Sequence, residues 1–563
     1  MYKKKYSLIF FLFVLIGFKS CSLREENINI EKNKKTTLQF HISGILESNG
    51  IEMPQNNMFS AGRTTVHKIN IITAKDFDVL INATKILKQK ISVQPVSPGV
   101  KFRFLIYNAS DNILVRDLVV ISGTSPQIEV DAGKTYKWYA ISSNDTTAVP
   151  SVTEGIVNSS DIANKDILYA SSNGVITPEY GNNNLNIIFK HNTVQFLIQL
   201  DTRGLFGKIN DTSTLEVGIN QGNTFTSIIQ TGDFNLFTGT YYNLQAIPAI
   251  SASNMINTTN AQGDVGATKT AKFYTVNKSL ITDNSLRIRL NKLDISLDDN
   301  TTRSFAPNTI INYSNIGVTP IYGNKYTISA RLIESGVKVN GLQWARSNLY
   351  YADNVTHADK YRFHPNNEYT ISSILNLSIN GIISLQLNGQ PYKITNEYWN
   401  WMSAKPTGPV SDNIDPCSKV YPEGIWRMPT NSEFTSLNNN PTLGFDTNTP
   451  LLLGGARLSS TWELDSGQQI NTVYPTNSQK LFISFFGRRS VDGNQIIDSP
   501  GSIASPLLAS GEAHYWTSTK NGSSVFYHNR IYDALIGTII GPDPPTMVPG
   551  SSSQGRNIRC VRR

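Results

Sequence analysis

Leu185-Asn186-Ile187-Ile188-Phe189-Lys190-His191-Asn192-Thr193-Val194-Gln195-Phe196-Leu197-Ile198-Gln199-Leu200 is the stretch that decides the fold class. Leu185, Ile187 and Phe189 share one side of an extended chain, opposite Asn186 and Lys190, and Ile188 breaks the pattern. Val194, Phe196, Ile198 and Leu200 repeat it opposite Gln195 and Gln199. Successive side chains of a strand point to opposite faces, so this period of two marks half-buried strands. The same alternation appears in Lys101-Phe102-Arg103-Phe104-Leu105 and in Leu286-Arg287-Ile288-Arg289-Leu290. Turn-forming runs rich in Asn, Gly and Ser separate such segments, at 108–112, 181–184 and 220–223. Many short strands between closely spaced turns predict antiparallel β-sandwiches. Amphipathic helix is sparse before residue 430, and 74–86 is the one stretch there that reads as a short helix.

Composition agrees. Charged residues make up 16% of the 563, against about 25% in an ordinary soluble protein. Hydrophobic residues at 39% and aromatics at 10% supply material for cores, which argues against intrinsic disorder. At roughly 100–200 residues per domain, the length predicts three or four domains. The formal charge of +8 comes from 50 basic and 42 acidic residues. Four of the basic ones, Lys3, Lys4, Lys5 and Lys19, lie in the first twenty residues with no acid beside them. The remaining excess is small and dispersed, and it gives no reason to invoke nucleic acid.

Residues 1–20 read as an export signal. Lys3–Lys5 form a positive start, and Leu8–Phe18 is an apolar run too short for the roughly 20 residues of a membrane helix. Ser20-Cys21 then resembles a bacterial lipoprotein cleavage site, although Phe18 and Lys19 depart from the usual aliphatic and small residues. That resemblance implies that Cys21 is acylated, as by palmitate, and anchors the chain in the outer membrane. Glu25 and Glu26 resemble the acidic signal that sends Bacteroidetes lipoproteins to the cell surface. Residues 21–35 then form a polar tether. With Cys21 set aside, Cys417 and Cys560 remain. In an oxidising compartment a disulfide between them is the simple reading, and two buried free thiols are the alternative.

Further along, Gly133-Lys134, Tyr136-Lys137-Trp138-Tyr139-Ala140, Asp166-Ile167-Leu168-Tyr169-Ala170 and then 185–200 occur in an order that resembles the fimbrillin-like lipoproteins of Bacteroidetes. The resemblance covers about 36–335. It implies two transthyretin-like or immunoglobulin-like β-sandwich domains, 36–190 and 191–335, and a role as pilus subunit, anchor or tip adhesin. His191 would then be a structural strand histidine.

A second resemblance starts at Val339-Asn340-Gly341-Leu342-Gln343-Trp344. It continues through Tyr398-Trp399, Asp415-Pro416-Cys417, Gly424-Ile425-Trp426-Arg427-Met428-Pro429-Thr430, Tyr515-Trp516-Thr517-Ser518-Thr519 and Asn557-Ile558-Arg559-Cys560-Val561-Arg562. The order resembles the FISUMP domain (Fibrobacter succinogenes major paralogous), itself similar to α+β C-type-lectin-like folds. It implies one domain over 336–563, with Cys417 and Cys560 placed where they can be joined. Within it, Thr430 and Glu433 have capping-box spacing and predict a short helix over 431–438. Trp344, Trp426 and Trp516 read as core anchors.

No spacing in the chain assembles an active site or a cofactor site. The seven His show no paired metal-ligand pattern. Asp298, Asp299 and Asp294 read as solvated loop acids, and Asp492-Gly493-Asn494 offers only part of a calcium loop. The expectation is a mainly β protein without catalytic residues, cofactor or metal. It would be a surface lipoprotein acting in adhesion or as a fimbrial anchor or tip, with a lectin-like C-terminal domain. Its partners would be fimbrial subunits, or host or environmental glycans or proteins. The alternative is a non-fimbrial glycan-binding lipoprotein for polysaccharide capture. Tyr350, Tyr351, Tyr361, Tyr398 and Trp399 are the candidates for a binding face.

Overall fold

The computed structural model describes residues 34–48, 51–52, 70–73, 76–81, 91–258, 265–297, 300–314, 316–353, 359–364, 394–410, 413–438, 442–445, 458–468, 480–484, 486–493, 496–497, 511–521, 523–531, 533–534, 538–539 and 546–563. Strand accounts for 52% and helix for 5%, so the protein is mainly β. The chain forms two compact units. One takes Met1–Ile45, Val93–Val149 and Tyr169–Phe189, and the other takes Leu46–Ser92, Pro150–Leu168 and Lys190–Arg563.

The first unit is organised by an eight-stranded sheet. Its order is Ile91–Gln94, Lys35–Ser48, Asn182–His191, Leu168–Ser171, Tyr136–Ser142, Lys101–Asn108 and Leu114–Ile121, and Gln127–Asp131 also pairs with Lys35–Ser48. The alternation in Asn182–His191 is borne out, with Ile187 and Phe189 buried and Ile188 exposed. This strand begins at Asn182, inside the stretch expected as a turn, because pairing with its neighbours recruits the asparagines. Aromatic contacts fill the core. Phe40 and Phe104 have ring centroids 3.9 Å apart, Phe104 stacks on Trp138 at 5.6 Å, and Phe102 meets Phe189 edge-on at 5.7 Å.

In the second unit, Val194–Gly204 lies between Thr268–Thr275, antiparallel, and Lys325–Glu334, parallel. Val194, Phe196, Ile198 and Leu200 are buried as their alternation predicts. They share one core with Val217, Ile288 and Leu290, which belong to a five-stranded sheet containing Thr214–Gln221 and Leu286–Lys292. The helix expected over 74–86 is not formed by its described part. Phe77–Ile81 is a strand, paired antiparallel with both Lys325–Glu334 and Asn70–Thr73. Phe77 and Val79 point into the core, and two flanking strands satisfy a backbone that a helix would have had to bond internally.

Residues from 336 onward use short strands and loops. Val337–Val339, Leu342–Trp344, Val561–Arg562 and Trp426–Arg427 make a four-stranded sheet in that order. The expected helix is present as Asn431–Thr435 followed by a 3-10 turn, Ser436–Asn438. Its capping box is complete. The Glu433 backbone N–H donates to Thr430 Oγ1, and the Thr430 N–H donates to the Glu433 carboxylate. Trp344, Trp426 and Trp516 are fully buried core residues. Trp426 and Trp516 share a core with Leu80, Phe206 and Ile333, so this core crosses position 335 without a break.

Candidate functional site

Two three-residue strands, Leu349–Tyr351 and Tyr361–Phe363, pair antiparallel and set Tyr351 opposite Tyr361. The rings meet edge to face with centroids 5.3 Å apart. Beneath them lies Trp399, stacked 6.1 Å from Tyr361 and edge-on 6.2 Å from Tyr351. Trp399 Nε1 donates to the Leu349 carbonyl at 3.3 Å, which locks the indole under the pair. The Tyr361 hydroxyl donates to the Ala404 carbonyl at 2.6 Å. Burial first, then the neighbouring Tyr351 and Glu423, push its phenol up to about 12, so it stays a neutral donor at physiological pH.

The structure therefore brings together Tyr351, Tyr361 and Trp399 and leaves the other two candidates elsewhere. Tyr350 points the opposite way along its strand and packs edge-on against His364 at 5.6 Å. Tyr398 and Trp399 do not belong to an exposed face, because both are fully buried. Tyr398 donates its hydroxyl to the Phe486 carbonyl at 2.9 Å, and burial raises its phenol well above the ordinary range. Adjacent large aromatics look alike in sequence whether they line a core or a surface.

Tyr351 and Tyr361 remain partly accessible. Asn396 Nδ2 bonds the Tyr351 carbonyl at 2.6 Å and the exposed Asp353 carboxylate at 2.8 Å. An aromatic pair on a rigid indole, with a carboxylate at its rim, can stack the apolar face of a sugar ring or a side chain and accept hydrogen bonds beside it.

Cys417 and Cys560 are joined by a disulfide, with Cα atoms 5.7 Å apart, and both are buried. Asp415, two residues earlier, caps the turn that carries Cys417. Cys21 lies outside the described residues, as do Asp298, Asp299 and Asn494. Asp492 accepts from Ser490 in an exposed turn. Among the described residues no group of three His, Cys, Asp or Glu gathers as a metal-ligand set, and no helix is long and apolar enough to cross a membrane.

Sequence reasoning gives His191 a structural strand role but not its partners, and it misses Glu397. His191 is held between Asp166, 2.7 Å from Nδ1, and Glu47, 3.0 Å from Nε2. Burial pulls its pKa down, but the two carboxylates outweigh that and the net direction is up. Glu397 is fully buried. Neither arrangement has a local signature, since the partners lie far apart in the chain.

No curated protein matches the chain. Solved structures overlap parts of it. A candidate cell adhesion protein of Bacteroides fragilis is 14% identical, over 55% of this chain and 94% of its own, with a TM-score of 0.29. A fimbrial anchor protein of Porphyromonas gingivalis is 10% identical, over 55% and 98%, at 0.23. A candidate polysaccharide-binding protein of Bacteroides thetaiotaomicron is 11% identical, over 43% and 88%, at 0.24. None of the three is named as an enzyme, and TM-scores this low carry no further inference. Residues 130–373, a little under half of the chain, match the family model described as fimbrillin-like.

Proposed function

We propose that this chain is a cell-surface protein acting in adhesion or as a fimbrial anchor or tip component. The fimbrillin-like match over 130–373 is the observation that carries the reading. The mainly β architecture supports it. In this reading a lipid on Cys21 anchors the chain in the outer membrane. Sandwich domains over 36–190 and 191–335 form the stalk, and a lectin-like FISUMP domain over 336–563 presents the binding face. Its partners are other fimbrial subunits or surface ligands, and it performs no catalysis. Cells lacking the gene should lose surface fibres or adhesion in electron microscopy and attachment assays, and unchanged fibres with unchanged attachment would overturn the reading. Cys21→Ala should release the protein from membranes, and persistent detergent-only extraction would exclude the anchor.

The partly accessible Tyr351–Tyr361 pair favours a second reading, glycan capture without a fimbrial role. A glycan array probed with the full chain tests it, with Tyr351→Ala as the control. Saturable binding lost in the variant supports it, and no binding by either protein counts against it.

A further inference from the structure

Four chain segments converge on one buried histidine. Glu47 lies at the end of Lys35–Ser48, Asp166 precedes Leu168–Ser171, His191 ends Asn182–His191, and Lys325 opens Lys325–Glu334. His191 Nδ1 is 2.7 Å from Asp166 Oδ1, and Nε2 is 3.0 Å from Glu47 Oε1. Thr193 Oγ1 donates to Asp166 at 3.5 Å, and Lys325 Nζ donates to Glu47 at 3.3 Å. The phenols of Tyr274 and Tyr241 also face the carboxylates, and burial raises both, so they stay neutral.

An ionised carboxylate accepts hydrogen bonds and donates none. With a carboxylate at each ring nitrogen, both contacts are hydrogen bonds only when both nitrogens carry protons. The imidazolium and Lys325 then balance Asp166 and Glu47, two charges of each sign. A neutral ring has a single N–H, so its bare nitrogen would face a carboxylate oxygen, and one of the two contacts opens.

The geometry points to the contact that opens. Asp166 makes the shorter one, and its side chain is 13% exposed. Glu47 makes the longer one, is 22% exposed, and has Lys325 as a second partner. Lys325 is itself 40% exposed, so the pair that survives is a weak surface one.

We infer that His191 is a proton-operated latch on the end of the strand Lys35–Ser48. Protonated, it ties Glu47 to Asp166. Neutral, it keeps Asp166 through Nδ1–H and releases Glu47 toward water. The direction of its titration agrees, because burial pulls the pKa down but the two carboxylates carry it above the ordinary 6.5. The latch is therefore closed in mild acid and opens as pH rises through the folded pKa. It uses no part of the adhesion reading.

The test takes the purified full chain through a pH titration with two readouts. The first is the imidazole ¹⁵N shifts of histidine-labelled protein, with the His191 signal identified as the one that Glu47→Gln moves. The second is hydrogen exchange at the Glu47 and Ser48 amides, corrected for the intrinsic rate at each pH. Both ring nitrogens should be protonated in mild acid and only Nδ1 at high pH. Protection at Glu47 and Ser48 should fall over the same titration while that of Phe196–Ile198 holds. Glu47→Gln places an amide at Nε2 that can accept from the charged ring or donate to the neutral one. It should lower the titration midpoint and abolish the exchange response. An Nε2–H tautomer at high pH, protection unchanged across the titration, or no histidine signal moved by Glu47→Gln would each overturn the inference. A full exchange response in Glu47→Gln would overturn it as well.

Discussion

The guanidinium of Arg562 donates to the carboxylate of Asp78, 484 positions away in the chain, and both side chains are buried. Arg562 also donates to the Glu334 carbonyl and lies 4.5 Å over the Trp426 ring. Arg303 also pairs with Glu334, Arg203 pairs with Asp359 through two hydrogen bonds of 2.6 and 2.7 Å, and Tyr421 donates to Asp201 at 2.6 Å. Residues before and after 335 thus share buried charge as well as an apolar core.

Arg562→Ala leaves Asp78 buried without its guanidinium and should cost about 3–5 kcal/mol. Arg562→Met with Asp78→Leu replaces the charges by apolar volume and should be much closer to neutral. Urea denaturation of the unaltered chain and of both variants checks this. Equal losses in the double variant and in Arg562→Ala would refute the pair as the cause.

Residues 191–335 and 336–563 should unfold in one transition. Trp fluorescence is dominated here by residues after 336, since six of the seven tryptophans are Trp344, Trp399, Trp401, Trp426, Trp462 and Trp516. Its midpoint should coincide with that of Gln195 and Phe196 amide exchange in the long central strand. Separate midpoints would show two independent bodies.

His191 makes stability pH-dependent in a defined direction. Its folded pKa lies above the unfolded value, so its contribution is complete below about pH 6.5 and is lost as pH rises through the folded pKa. Stability of the unaltered chain relative to His191→Gln should therefore shrink as pH rises above about 6.5. A difference that grows with pH would contradict the assigned contacts.

Thr430→Ala removes one side of the capping box and should cost about 1 kcal/mol, and Thr430→Ser should recover most of it. The Glu433 carboxyl is pushed up by burial, but Arg427 and the Thr430 N–H outweigh that and hold it below its ordinary value. The Glu433 contribution is therefore present above the unfolded pKa and fades as pH falls through the folded one. Denaturation curves at pH 7 and in acid measure both effects.

The Cys417–Cys560 bridge spans 143 positions. In the chain-entropy account such a loop is worth about 5 kcal/mol. Replacing both cysteines by serine should lower stability by up to that amount, and non-reducing peptide mapping should recover the crosslinked pair. Two alkylatable thiols in the native protein would refute the bridge.

Some features were legible because their cause is local. The period of two in 185–200 needs only neighbouring residues to be read, and burial follows it down to exposed Ile188. Thr430 and Glu433 satisfy orphan helix donors within one turn, so their spacing alone located the helix. The stretch 74–86 misled because Phe77–Ile81 takes its conformation from strands at 70–73 and 325–334, not from its own propensity.

By itself, then, the sequence determined the mainly β class, the buried tryptophans and the capped helix. These depend on periodicity, side-chain size and one-turn spacing. Only the tertiary structure decided which aromatics stay accessible. Tyr351 and Tyr361 sit at the rim while Tyr398 and Trp399 are covered, although all four are large rings in similar polar surroundings. Only the tertiary structure could bring Arg562 to Asp78, His191 to Asp166 and Glu47, and Asn557 to Glu397. A charge accepts burial only beside a partner, and nothing in the local chain says which distant residue folding will deliver.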